Sequence, residues 1–108
     1  MWKNFDDIAL IPEKFCIAGS KYTVNLVNSS EEDLEGNYGD FTNLKHEIRV
    51  ALNAKLEDES IKITEDEVLK TYLHELGHCF NYYYNNECCE EFANAFSNFM
   101  YEYLHTKE

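Results

Sequence analysis

Two histidines four positions apart, with a glutamate directly after the first, stand in His74-Glu75-Leu76-Gly77-His78. On a helix, residues four apart project from one face, one turn from each other. Both imidazoles of such a pair reach a single zinc ion at about 2.0–2.1 Å from each nitrogen. Glu75 lies beside them, placed to take a proton from a metal-bound water. The pentapeptide also arises by chance in ordinary helices, so its setting decides. It sits in the middle of a helical pattern. At about 100° per residue, His74 and His78 point away from the apolar stripe of Leu69, Leu73, Leu76 and Phe80 and share a polar face with Thr71 and Glu75. Core histidines would lie on the other side.

Two histidines leave a zinc ion short of ligands. After His78 the helix continues for about one and a half turns, breaks at Asn85-Asn86 and returns antiparallel. At a rise of about 1.5 Å per residue, the return sets residues near 90–92 level with His78 to within one turn. Glu90 and Glu91 stand there. They flank the apolar stripe of the second helix on opposite sides, so amphipathicity does not choose between them, and Glu87 falls in the turn. Cys79, Cys88 and Cys89 are a rival donor set, since thiolates bind zinc well. Two histidines with two cysteines would close a structural site and leave Glu75 idle, whereas three protein ligands leave a position for water. Taken singly, each cysteine reads as a buried, inert thiol.

These side chains need elements to hold them. Thr64-Glu65-Asp66-Glu67 reads as a capping box, in which the Thr64 hydroxyl accepts from the Glu67 amide and Glu67 reaches back. Its acidic residues also suit the start of a helix dipole. The periodicity predicts a helix over 65–84 that buries Leu69, Tyr72, Leu73, Leu76, Phe80 and Tyr83. A second helix over 88–104 buries Phe92, Phe96, Phe99, Met100 and Tyr103. Upstream, residues 15–18, 22–27, 38–41 and 47–52 read as short antiparallel strands. Gly19-Ser20 is the first turn, and Gly39 marks a bulge or a close approach. Residues 28–36 and 53–63 read as polar loops. Strands followed by helices give an α+β fold: a small antiparallel or mixed sheet of three to four strands, then two antiparallel helices carrying the zinc site. One proline and few glycines leave no linker, so residues 1–108 read as a single domain.

Thr71-Tyr72-Leu73-His74-Glu75-Leu76-Gly77-His78, followed by Glu90-Glu91-Phe92-Ala93-Asn94-Ala95-Phe96-Ser97, resembles the active-site helices of small gluzincin-type metallopeptidases. The likeness is greatest to the compact ImmA/IrrE-like and phage-encoded group. The second motif of that group, E-x-x-A-N-x-F-A, falls on Glu90, Ala93, Asn94, Phe96 and Ser97, the last a serine in place of alanine. The strands around Tyr38-Gly39 and 48–52 are similar too, so the resemblance spans roughly residues 15–105, but only the two helices carry specific motifs. It implies a minimal zincin-like fold with Zn2+ as cofactor and His74, His78 and Glu90 as metal ligands. It implies a zinc metalloendopeptidase that hydrolyses a peptide or protein substrate through a zinc-bound water, with Glu75 as general base. Asn94 resembles the residue that orients a ligand histidine through its other ring nitrogen. Gluzincins more often carry Asp there, and a solvated helix residue is the plain alternative. Tyr38, Tyr82, Tyr83 and Tyr84 are the candidates for donating to the oxyanion. The substrate is expected to lie extended along an edge strand above the cleft.

The bulk properties narrow the partners. Among 108 residues, 21 acidic side chains oppose 9 basic ones, a formal charge of −12. Such a field repels phosphate backbones and anionic lipid, so neither nucleic acid nor a membrane surface is expected as a partner. Apolar residues at 44 % suffice for a core. The start of the chain lacks the pattern of a secretion signal, no apolar run has the length of a membrane span, and the four cysteines have no disulfide-rich spacing; together these predict reduced thiols in the cytoplasm. His46 and His105 read as surface residues, and the acidic run at 31–35 as a solvated loop. A domain this small has little wall for a cleft. A non-catalytic zinc-stabilised interaction module, such as a phage or host regulatory protein, is therefore the alternative to the peptidase, and a zinc hydrolase of non-peptide bonds a third reading.

Overall fold

The computed structural model describes residues 7–30, 34, 36–85 and 89–107. A 3-10 turn at Ile8–Leu10 leads into strands β1 (Lys14–Ile17), β2 (Ser20–Ser29), β3 (Gly39–Thr42), β4 (Glu47–Leu56) and β5 (Glu59–Lys62). Helices α1 (Glu65–Tyr84) and α2 (Glu90–Thr106) follow. The fold is α+β, as the order of strands and helices predicts, with five strands rather than three or four.

β1 and β2 form a hairpin whose turn is Ala18-Gly19, one residue earlier than Gly19-Ser20. Both turn residues have positive φ, 49° and 81°, as a two-residue turn matched to strand twist requires, and Ser20 already pairs with Ile17. β2 lies parallel to β4, with Thr23 opposite Glu47 and Val27 opposite Ala51. The sheet is therefore mixed, not antiparallel throughout. β3 pairs antiparallel with the first part of β4, and β5 with its last part. The order β1-β2-β4-β3 leaves β3 at an edge. The expected loop over 53–63 is thus largely a hairpin. Every residue of β5 is exposed, so no apolar alternation marks it in the sequence. The stretch 28–36 likewise begins as strand, through Ser29, and holds the buried Leu34; residues 31–33 and 35 lie outside the described residues.

α1 covers one face of this sheet. Tyr22 and Val24 of β2 and Ile48 and Val50 of β4 alternate inward and meet Val68, Leu69, Tyr72 and Leu73 of α1 in the core. Each such side chain contributes about 1.5–3 kcal/mol by leaving water. Thr64 is the N-cap of α1, but the reciprocal bonds of a capping box do not form. The Thr64 hydroxyl donates to Asp66 instead and, with smaller help from backbone amides and Lys70, holds that carboxyl below its ordinary value. α1 stops at Asn85, as expected; Asn86, Glu87 and Cys88 lie outside the described residues.

α2 packs on α1 with a narrower set of residues than its sequence suggests. Ala93 and Ser97 are buried, and Met100 and Leu104 pack against the core. Phe99 and Tyr103, expected on this face, point outward and are exposed, as is Phe80 of α1. The reason is the close approach of the two helices. A Cβ on Gly77 would lie 3.1 Å from Ala93 Cα and 3.2 Å from a ring carbon of Phe96, so Ala93 and Phe96 occupy the space a side chain at 77 would need. His105, expected at the surface, is buried near the end of α2. Its Nε2 lies 2.6 Å from Asp7 Oδ1 and its Nδ1 lies 2.7 Å from the Tyr101 carbonyl oxygen. Among the described residues no helix is long and apolar enough to cross a membrane.

Candidate metal centre

The polar face of α1 and the first turn of α2 meet at three side chains. His74 and His78 turn their Nε2 atoms toward each other, 3.1 Å apart. Glu90 reaches between them, with one carboxylate oxygen 2.8 Å from His78 Nε2 and the other 3.1 Å from His74 Nε2. The contact at Gly77 makes this possible, because it brings α2 close enough for its first residue to reach over His78. Glu90 also sits at a helix N-terminus, where the dipole favours a carboxylate.

The donor set fits a divalent metal. Its three ligand atoms lie within 4.8 Å of one another. Ligands at about 2.0–2.1 Å from a tetrahedral zinc stand about 3.3 Å apart, close to the separations found. Two imidazoles and a carboxylate are the donors of a site that keeps an open position.

Beside the triad an open cleft of about 660 Å³ runs between α1 and the edge strand β3. Gly39 of β3 lies directly against α1: a Cβ there would meet Thr71 Cγ2 at 2.7 Å and Glu75 Cγ at 3.3 Å. The sequence marked Gly39 for a bulge or a close approach, and the close approach is what it provides. The contact shields Glu75. Burial pushes its carboxyl up to about 7, and the negative charges of Asp40 and Glu90 push the same way. Three carboxylates therefore share one cleft, an arrangement that a bound cation would relieve by reversing the local field.

The structure separates the remaining candidates. Glu91 is exposed and stands outside the converging group, and Glu87 and Cys88 lie outside the described residues. Cys79 is buried on the far side of α1, beside the Tyr22 hydroxyl, and Cys89 is the N-cap of α2. Neither joins the histidines, so no two-histidine, two-cysteine set forms among the described residues. Of the other thiols Cys16 is exposed rather than buried. Of the four tyrosines only Tyr38 lines the cleft. Tyr82 accepts a hydrogen bond from Asn43, Tyr83 pairs with the Tyr22 hydroxyl, and Tyr84 packs on Phe80. Asn94 lines the cleft one turn beyond Glu90.

Asp40 was not legible as a site residue. It faces the cleft from β3 and is held by Arg49, its cross-strand partner on β4. The opposite charges in the two strand segments were the available signal, but only the register makes them neighbours. No family model, curated protein or solved structure matches the chain.

Proposed function

We propose that this protein is a zinc-dependent peptidase, akin to the small gluzincins of the ImmA/IrrE-like and phage-encoded group. The observation that carries the proposal is the convergence of His74 Nε2, His78 Nε2 and the Glu90 carboxylate beside a cleft walled by an edge strand. These three residues would hold the ion. Zinc bound there would polarise the scissile carbonyl and acidify water.

The chain's own groups divide the rest of the work. The free edge of β3 offers backbone groups to an extended peptide, which aligns it across the cleft. Glu75, beside His74 and screened from solvent by Gly39 and Thr71, takes the proton of the attacking water and passes it to the leaving amine. Tyr38, half-exposed at the rim, is the phenol placed to donate to the developing oxyanion. Asn94 lines the cleft wall one turn beyond Glu90. Cys16, Cys79 and Cys89 are free thiols, which suits a reducing cytoplasm.

The test is hydrolysis of a peptide library by zinc-loaded protein. Glu75→Gln is expected to lower the rate by about 10²–10⁴-fold, the range for loss of a general base, while zinc stays bound at one per chain. Hydrolysis that survives the substitution would overturn the mechanism. A zinc-loaded wild type that cuts nothing would return the protein to the class of non-catalytic zinc-stabilised modules.

A further inference from the structure

The free edge of β3 sets where the side chains of a bound peptide go. The Tyr38 carbonyl accepts from the Ala51 amide of β4 at 2.8 Å. Backbone direction alternates along a strand. Tyr38, Asp40 and Thr42 therefore turn their ladder groups to β4, and Gly39 and Phe41 turn theirs to the open edge. A strand added at that edge pairs with Gly39 and Phe41, and its residues opposite those two point to the same face of the sheet. That face is the one toward α1. Gly39 lies against Thr71 and Glu75, and the Phe41 ring meets the Tyr82 ring edge-on, centroids 5.9 Å apart. Along α1, Glu75, His78 and Tyr82 follow one another on one side at spacings of three and four. His78 thus stands between the Glu75–Gly39 contact and the Tyr82–Phe41 contact, and the cut bond falls between the two.

We propose that Phe41 and Tyr82 form an apolar subsite, which selects peptides with a large aliphatic or aromatic side chain within two residues of the cut bond. This rests on the reading of the cleft as a peptide-cleaving site and names what that site accepts. Phe41 lines the cleft and is half-buried, and Tyr82 is 41 % exposed, so the pair has one covered side and one open side. The covered side is held in place. Phe41 stacks on the core Tyr22 at 5.9 Å, Tyr82 meets Tyr83 edge-on at 5.0 Å, and the Tyr82 hydroxyl accepts from Asn43 Nδ2 at 2.9 Å. Rings fixed in this way leave apolar surface in water, which a neighbouring apolar side chain covers at little further cost in ordering. The opposite end of the cleft is polar, with Lys70, Asn94 and Ser97, so the apolar preference belongs to one position. Antiparallel pairing, the more stable arrangement, runs a peptide from the Phe41 end toward Gly39, so the selected residue precedes the cut bond. The residue opposite Asp40 points away from α1 and is unselected.

Sequencing the products that the zinc-loaded full chain releases from a mixed peptide library is expected to show Phe, Tyr, Leu or Met enriched at one position before the cut. A single peptide with Phe there is expected to exceed its Ala version in kcat/KM by at least about tenfold, the scale on which an apolar pocket discriminates. Tyr82→Ala should bring that ratio near unity with zinc content and far-ultraviolet circular dichroism unchanged, and Tyr82→Phe should keep it. Asn43→Ala, which frees the Tyr82 hydroxyl, should lower the ratio about threefold, a result that stands even if Tyr82→Ala misfolds. Binding gives a readout without cleavage: zinc-loaded Glu75→Gln protein should hold the Phe peptide about tenfold more tightly than the Ala peptide. Cleavage without enrichment at that position, or a ratio that a folded Tyr82→Ala leaves intact, would overturn the subsite while the peptidase stands. Tyr82-dependent binding with no cleavage by the wild type would keep the subsite and overturn the peptidase. Neither binding nor cleavage would overturn both.

Discussion

A methyl group at position 39 would touch Thr71 Cγ2 at 2.7 Å and the Arg49 carbonyl oxygen at 3.1 Å. Thr71, with Glu75 Cγ at 3.3 Å, belongs to α1, and the carbonyl belongs to the neighbouring strand, so the methyl is caught between helix and sheet. Gly39→Ala is therefore expected to push β3 off α1. It should destabilise the fold by about 1–3 kcal/mol, the usual cost of overpacking, seen as a lower Tm. On the proposed function it should also cost about tenfold or more in kcat/KM while zinc content is unchanged, because it moves the wall of the cleft and not the ligands. A loss of zinc equal to the loss of activity would show that β3 supports the metal centre itself. The glycine was visible in the sequence as a special position. Asp40, its neighbour, was not, because its place beside Glu75 depends on the register that sets it opposite Arg49.

Between α1 and α2 the deciding quantity is the height at which the second helix returns. Helix rise sets that height to within a turn, which left Glu90 and Glu91 level with each other. The close contact of Gly77 with Ala93 and Phe96 fixes it, and turns Glu90 toward the histidines and Glu91 toward solvent. Glu90→Ala is expected to weaken zinc binding by more than about 100-fold, beyond what is usual for residues that only support a ligand. Glu91→Ala should leave it unchanged. Metal analysis after dialysis reads the difference, and a thermal melt repeats it, since zinc should raise the Tm of the wild type and of Glu91→Ala but not of Glu90→Ala. Equal zinc loss in both variants would remove Glu90 from its assigned role. The limits of α1 followed from its cap and its period, and those of α2 to within two residues. The buried face of α2 did not follow, because a seam of four aromatics carries more apolar signal than the small Ala93 and Ser97 that the helix buries.

For the molecule as a whole, the core holds acids that must stay neutral. Cys79 lies between α1 and the sheet, where burial pushes its thiol up to about 11 despite a hydrogen bond with Tyr22 that acts the other way. Burial likewise raises the Tyr22 and Tyr72 hydroxyls far above their ordinary value, Tyr22 with help from its bond to Tyr83. An unfolded cysteine ionises near 8.5. The folded chain therefore binds more protons than the unfolded one at alkaline pH, so stability is fully present below about 8.5 and falls as pH rises toward 11. Urea melts between pH 7 and 11 should show a steady decline, and Cys79→Ala should flatten the part that begins near 8.5. An iodoacetamide reaction at pH 8 should modify the exposed Cys16 and spare Cys79 until the protein unfolds. Rapid labelling of Cys79 in the folded chain would contradict the packing described for it.

The sequence by itself determined the elements whose signals are local: a capped amphipathic helix with two histidines on its polar face, its end at Asn85, a returning helix, and strands ahead of both. Such features depend on the period of the chain and on residues within a turn or two of each other. Tertiary structure alone decided what depends on residues far apart. It made β2 and β4 parallel neighbours, turned the polar 53–63 stretch into a hairpin, buried His105 against Asp7, and drew Glu90 rather than Glu91, Cys79 or Cys89 to His74 and His78. The physical reason is the same in each case. Strand register and helix contact are settled by shape across the core, where a glycine at 39 or 77 admits what any side chain would exclude, and composition along the chain does not encode that distance.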